Sequence, residues 1–267
     1  MQNKNSLDNP LYYEHSSYEK NNLGVHLRDK VKKKIELIPS NVKMIIDIGC
    51  GNGAIKNELA KKYTVTGIDR SVNALKFITT TKILSSSGKI DVLDESYEMV
   101  FSSELLEHLE DNVYYATLEE TKRISKKYIF FTVPNNEILE NDFIQCPYCG
   151  WIFNKTYHLT SLSLNEIKQH FTNYKDIKYI EYGSGKRGYN KLRSKIKHTF
   201  VPPSSWIPKY WTRNSLRKSM CPKCETVFTY QYRFNLLGFI CDTLNILVSP
   251  HKPYWLFILL EKNKHVN

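Results

Sequence analysis

The 267-residue chain lacks any apolar run near the ~20 residues that a bilayer-spanning helix needs. Its first residues, Met1 to Asn9, are polar and hold no apolar leader core, so a cytoplasmic protein is expected. No internal repeat is present, which excludes a solenoid. Acidic residues are missing altogether between Gly183 and Cys224, a stretch with eleven Lys or Arg. The other 27 basic residues equal the 27 Asp and Glu, so the whole net charge of +11 arises in that segment. Trp206, Tyr210 and Trp211 lie within it. Basic residues interleaved with aromatics can grip phosphates and stack on bases or sugars. Three readings of residues 186–223 stand: a nucleic-acid partner, a membrane or lipid-linked pyrophosphate, or a plain solvated loop.

Cysteine is scarce but patterned. Four of the six form two pairs, Cys146-Pro-Tyr-Cys149 and Cys221-Pro-Lys-Cys224. Each pair can aim two thiolates at one ion, and two pairs complete a tetrahedral, structural zinc site with no open position. The pairs are too far apart for an autonomous zinc ribbon and must meet in the fold. Cys50 is expected to contribute backbone rather than thiol chemistry, and Cys241 reads as core.

The most informative stretch is Met44-Ile45-Ile46-Asp47-Ile48-Gly49-Cys50-Gly51-Asn52-Gly53. Its isoleucines read as a strand covered on both faces. The glycines remove side chains where a ligand approaches the backbone. Ala54 to Lys61 then opens a helix whose first amides face the turn. Twenty residues after Gly49, Asp69 closes a second apolar strand, where a carboxylate can accept from both hydroxyls of a ribose. Spacing alone also fits a dinucleotide fingerprint through Gly49, Gly51 and Ala54, so an NAD-dependent enzyme is a further reading. Downstream, strand and helix patterns alternate, which argues for a parallel sheet. Helices are expected at about 24–37, from Ser71 to Ile78, from Asp111 to Ile124, and from Ser163 or Asn165 to Phe171. A third strand within 81–97 is weak; later strands fall near Ile177–Tyr182 and Tyr254–Leu260. The apolar helix near Phe234–Leu247 reads as core, with a membrane-lying helix as the alternative.

The segment Asp47 to Gly53 closely resembles motif I of the class I S-adenosylmethionine-dependent methyltransferases. Tyr97 to Leu109 and Lys127 to Asn135 resemble the fourth- and fifth-strand regions of that superfamily, in the expected order. The resemblance covers roughly residues 25–182 plus the terminal strand. It implies a doubly wound, mostly parallel, seven-stranded Rossmann-like α/β sheet over 25–262, after an N-terminal arm at 1–24 and before a tail at 263–267. Zinc-knuckle and basic insertions interrupt it at about 140–157 and 184–230. Tyr12, Tyr13 and Tyr18 of the arm either cap the site or pack loosely.

The resemblance also assigns residues. Gly49, Cys50, Gly51 and Gly53 would wrap the methionine part of S-adenosylmethionine, Asp47 would orient its amino group, and Asp69 would hold the ribose, with Arg70 and Ser103 nearby. The adenine contact falls where Leu84 to Gly88 offers serines, so Asp91 is the substitute. At the acceptor edge stand Glu104, Glu107, His108 and, downstream, His158. The E-x-x-E-H pattern resembles ubiquinone-pathway O-methyltransferases and the 3′-terminal 2′-O-methyltransferases of small RNAs, where such a group can hold a divalent ion such as magnesium. The bland alternative is that Glu107 and His108 merely pack the loop. His158 is a general base, an acceptor contact or a structural residue. Split zinc knuckles resemble bacterial enzymes of cell-surface sugar or secondary metabolism. The implied activity is therefore O-methylation of a small-molecule, sugar or glycolipid-linked acceptor. RNA methylation and a non-catalytic binding module are the alternatives.

Overall fold

The computed structural model describes residues 10–15, 25–205 and 217–263. Trp206, Tyr210, Trp211 and Tyr18 lie outside the described residues. Helix α1 (Pro10–His15) and α2 (Val25–Leu37) precede β1 (Met44–Ile48), α3 (Ala54–Leu59), β2 (Thr64–Asp69), α4 (Val72–Leu75) and β3 (Lys82–Leu84). Then come β4 (Tyr97–Ser103), α5 (Asp111–Ile124) and β5 (Ser125–Pro134). Two short hairpins follow, β6 (Phe143–Gln145) with β7 (Ile152–Asn154) and, later, β9 (Lys218–Met220) with β10 (Val227–Thr229). Between them lie α6 (Leu164–Gln169), β8 (Tyr174–Arg187) and α7 (Lys191–Phe200). The chain ends with α8 (Leu236–Val248) and β11 (His251–Lys262).

The seven-stranded sheet runs β3-β2-β1-β4-β5-β11-β8. The first five strands are parallel, and β11 is antiparallel to both neighbours. Strand residues alternate between two cores. Ile46, Val100, Ile129 and Phe131 pack under α5 and α6, while Ile45, Met99, Phe101 and Phe130 pack under α2 and α3. Both faces are covered, which explains the unbroken apolar runs of β1 and β5. The carboxyl ends of the parallel strands form one rim, the edge at which open α/β sheets generally take their ligands.

Local signals set the helix starts. The Ser71 hydroxyl accepts from Ala74 N at 3.0 Å, and Ser163 makes a capping box with Glu166. Helix α4 stops at Leu75, short of the expected Ile78, and β8 is far longer than the strand read near 177–182. The largest departure is α8. Its outward residues are apolar and exposed, with Leu247 at 75%, so the core reading fails for this helix.

Candidate functional site

The turn after β1 is built by backbone. Gly49, Gly51 and Gly53 have φ of 76°, 52° and 77°, a region that favours glycine. A Cβ on Gly51 would meet nothing within 4 Å, so the turn opens onto a cleft, whereas a Cβ on Gly49 would meet Leu105 at 2.9 Å. The turn is pinned by Gly49 N and Cys50 N, which donate to Ile68 O at 2.8 and 2.9 Å. Asp69 accepts from Gly51 N at 2.7 Å through one oxygen and from Ser71 N at 2.9 Å through the other. Burial raises the Asp69 pKa against the pull of those amides. Asp47 is 2% exposed, and burial pushes its carboxyl up to about 7 although Lys34 opposes it. The Cys50 thiol packs on Leu75 and Ile78, and burial raises its pKa, which keeps it unreactive. Arg70 stacks its guanidinium 4.4 Å from the Tyr13 ring centre. Glu14 caps Val72 N and Asn73 N, which fastens α1 over the start of α4.

Asp91 is not brought to this rim. It is exposed, and its neighbours Ile90 and Val92 offer their carbonyls to Arg123 in the last turn of α5. That turn lies at the opposite end of the parallel strands. Ser85 stands closer, with its N–H on Asp69 O at 3.0 Å.

Glu104 and Ser103 end β4 inside a polar network that the sequence did not suggest. Lys30 and Lys34 of α2 reach Glu104 at 2.5 and 3.4 Å. Lys34 is fully buried and also donates to Ser103 Oγ at 2.6 Å, while Thr132 donates to the same oxygen at 2.9 Å. Burial lowers the Lys34 pKa to about 8, against the attraction of Glu104. Burial would raise the Glu104 carboxyl, but the two lysines outweigh it and hold it below its ordinary value. Glu104 adopts φ 59°, a left-handed conformation rare for a side-chain-bearing residue. Two lysines four apart usually share a solvated helix face; their place beside buried Val31 was the available signal.

Glu107, His108 and His158 come together, their ligand atoms all within 4.8 Å of one another. His108 Nδ1 lies 3.1 Å from Tyr157 O, so Nδ1 carries the proton and Nε2 the lone pair. His158 Nδ1 meets the Glu137 carboxylate, whose other oxygen accepts from Tyr254 Oη at 3.0 Å. Both rings are thus held by a partner behind Nδ1, as metal-binding or basic imidazoles are. Burial, then His158, lowers the His108 pKa to about 3. Both carboxylate oxygens of Glu107 are buried and take no hydrogen bond from any other described residue; burial raises its pKa well above the usual range against the pull of its own backbone amide. The Glu107 carbonyl accepts from Leu159 N and Thr160 N, which stitches the His158 segment to the β4 loop. Tyr13 spans both parts of the rim, its ring 6.2 Å from that of His108.

The two hairpins meet through their cysteines. Cys146 Sγ lies 3.6 Å from Cys224 Sγ, and Cys149 Sγ lies 3.6 Å from Cys221 Sγ. Disulfides need about 2.05 Å, whereas thiolates ~2.3 Å from a tetrahedral zinc stand about 3.8 Å apart. The donor set and spacing fit zinc. Ile144, Phe153, Tyr157 and Phe228 pack around the cluster, and Tyr157 Oη donates to Met220 O of β9. The same Tyr157 presents its carbonyl to His108. The cysteine cluster therefore sits directly behind the histidine pair, a link invisible in the sequence because Tyr157 carries no motif.

Comparison with known proteins agrees with this geometry. Residues 45–128 match a family described as a methyltransferase domain. Ubiquinone biosynthesis O-methyltransferase of Hydrogenovibrio crunogenus is 31% identical over 35% of this chain and 43% of its own length. The enzyme of the same name from Paracidovorax citrulli is 29% identical over 37% of this chain and 47% of its own. These matches span under half of the curated relatives. A methyltransferase structure from Archaeoglobus fulgidus superposes with a TM-score of 0.55 at 14% identity, over 88% of this chain and 93% of that one.

Proposed function

We propose that this chain, which carries a class I S-adenosylmethionine-dependent methyltransferase domain, methylates a hydroxyl of a small-molecule, sugar or glycolipid-linked acceptor. The observation that carries the reading is the adjacency of two sites on one rim: the open glycine turn with Asp69, and the oriented pair His108 and His158 beyond Leu105 and Tyr13. The cofactor supplies a methyl already activated on a sulfonium, so positioning does much of the work. Gly51 leaves room for its methionine end, Asp47 orients the amino group, and Asp69 accepts from the ribose hydroxyls. His158, braced by Glu137, presents Nε2 as the base for the acceptor's hydroxyl proton. Lys30 and Lys34 act as positioning residues through Glu104. The name shared by the curated relatives supports oxygen as the methylated atom.

In a metal-assisted alternative, Glu107, His108 and His158 would hold a divalent ion, which would satisfy carboxylate oxygens that no other described residue hydrogen-bonds; His158 Nε2 would then ligate the ion instead of accepting the proton. Two imidazole nitrogens suit manganese, iron or zinc better than magnesium, which prefers oxygen. Such an ion would polarise the acceptor hydroxyl. Glu104 stands outside this set, held by the lysines. Cys146, Cys149, Cys221 and Cys224 hold structural zinc in this reading. RNA methylation, drawn from the basic aromatic insert, the cysteine pairs and the E-x-x-E-H likeness, is the alternative. The test is transfer of labelled methyl from S-adenosylmethionine to phenolic, sugar and lipid-linked acceptors. The reading expects transfer that His158→Ala abolishes without weakening cofactor binding; equal transfer by that variant contradicts it.

A further inference from the structure

Helices α7 and α8 form a hairpin built inside out. The side of α8 that faces α7 is small or polar: Gly238, Cys241, Asp242 and Asn245 are buried there. Lys197 of α7 donates to Asp242 Oδ1 at 2.6 Å in an ion pair that is almost wholly covered, and Tyr189 Oη donates to the same oxygen at 2.8 Å. Asn245 donates to Gly188 O at 2.8 Å and accepts from Asn190 N at 3.1 Å. The opposite side is apolar and open. Leu192, Ile196 and Phe200 form an i, i+4, i+8 row on α7, and Leu236, Leu244 and Leu247 stand exposed on α8. A helix in water places these two faces the other way round.

The charges around this face have one sign. Arg193 and Lys195 are interleaved with the apolar row of α7, and Lys191 precedes Leu192 in the sequence. No Asp or Glu occurs from Gly183 to Cys224, and the one acid of α8, Asp242, is turned inward against Lys197. A second copy would set like charge against like charge. Nucleic acid would meet the cations but leave the leucines in water. The surface of an anionic bilayer satisfies both, taking apolar side chains below the headgroups and cations among them. At 13 residues, α8 is about 20 Å long, and no helix among the described residues is long and apolar enough to cross a membrane. The hairpin would lie in the interface plane.

Its place in the fold adds a consequence. The chain enters β11 at His251, and Trp255 pairs with Pro134 at the carboxyl end of β5. The hairpin therefore leaves the sheet at the rim that carries His108 and His158. We propose that α7 and α8 dock the protein on anionic lipid, with the acceptor rim beside the bilayer. This surface stands independently of the chemistry proposed above.

Co-sedimentation with sucrose-loaded vesicles tests it. The full chain should pellet with mixed phosphatidylcholine–phosphatidylglycerol vesicles, far less with phosphatidylcholine alone, and less as salt rises. The double variant Leu244→Ser/Leu247→Ser should bind roughly a hundredfold more weakly. Lys191→Glu/Lys195→Glu should bind about tenfold more weakly and lose most of the salt dependence. Circular dichroism and cofactor titration confirm that both variants stay folded. No pelleting with anionic vesicles at low salt overturns the proposal. So does a dimer that Leu244→Ser/Leu247→Ser disperses, or salt-sensitive binding of single-stranded RNA, when vesicles are not bound.

Discussion

The two ends of the ligand rim are made by opposite means. The proposed cofactor end comes from two short stretches, residues 47–53 and 69–71, and its contacts are mostly backbone: three left-handed glycines, two amides on Ile68 O and two amides on Asp69. The acceptor end draws on Glu107, His108, Glu137, Tyr157, His158 and Tyr254, which are far apart in the chain. A site built from a contiguous backbone is robust. A site assembled from distant side chains depends on whatever holds those segments together, and here that is the cysteine cluster behind Tyr157.

The sharpest way to break this comparison is to remove one of the four clustered cysteines, the proposed zinc ligands. Structural zinc contributes roughly 10 kcal/mol or more to small metal modules. Cys221→Ser should lower methyl transfer up to about a hundredfold, the upper end of what is lost with partners behind metal ligands, while S-adenosylmethionine affinity stays within about twofold. Equal losses in both would mean that the two ends fold as one unit. The reciprocal change is Asp69→Ala. Losing a charged acceptor of ribose hydroxyls, and of the Gly51 and Ser71 amides, should weaken the cofactor about a hundredfold by calorimetry. The zinc content should not change.

A smaller effect follows from Asp47. Its carboxyl is raised to about 7 from the ordinary 3.8, so the cofactor-free fold holds this proton below that pH. The ammonium of the bound cofactor favours the carboxylate. Binding should therefore release a proton below pH ~7, and affinity should fall by up to about tenfold per pH unit on acidification. Titrations in buffers of different ionisation heat read the proton directly. The sign for stability is opposite: through this group the empty fold loses stability as pH rises from 3.8 towards 7, because the folded state binds the proton more tightly than the unfolded chain. The smallest effect is Glu107→Gln. Glutamine keeps the shape of the neutral buried acid and brings its own unsatisfied polar atoms, so the stability read from Tm should change by less than about 1 kcal/mol while transfer is lost. A larger drop in Tm would show that Glu107 is a packing residue.

How much was legible in the sequence follows the same division. The sheet, the glycine turn and Asp69 were readable because apolar runs, glycine spacing and chain order are local properties. The cysteine pairs were readable from thiolate chemistry, and the structure brings all four together across 72 residues, Cys149 to Cys221. The serine at 71 was placed by capping and the helix at 111–124 by periodicity, although Asp111 is its first residue rather than its cap. What failed depended on tertiary context. Asp91 looked near the adenine by counting, but its loop turns to Arg123 at the far end of α5. Lys30 and Lys34 drew no reading from the sequence, and only the packing of α2 on β4 brings them to Glu104 and Ser103. Helix α8 looked like core because its composition is apolar; only its partner α7 reveals that the polar side faces in. Glu137 and Tyr254 had no motif, and their role exists only because β11 lies beside β5.

The most direct measurement is a calorimetric titration of S-adenosylmethionine into the full chain, repeated after zinc has been removed by a chelator. The account predicts one-to-one binding of nearly equal affinity in both, with methyl transfer surviving only in the zinc-loaded protein. Absence of binding to the zinc-loaded chain would contradict the central claim, because the glycine turn and Asp69 would then not form a cofactor site.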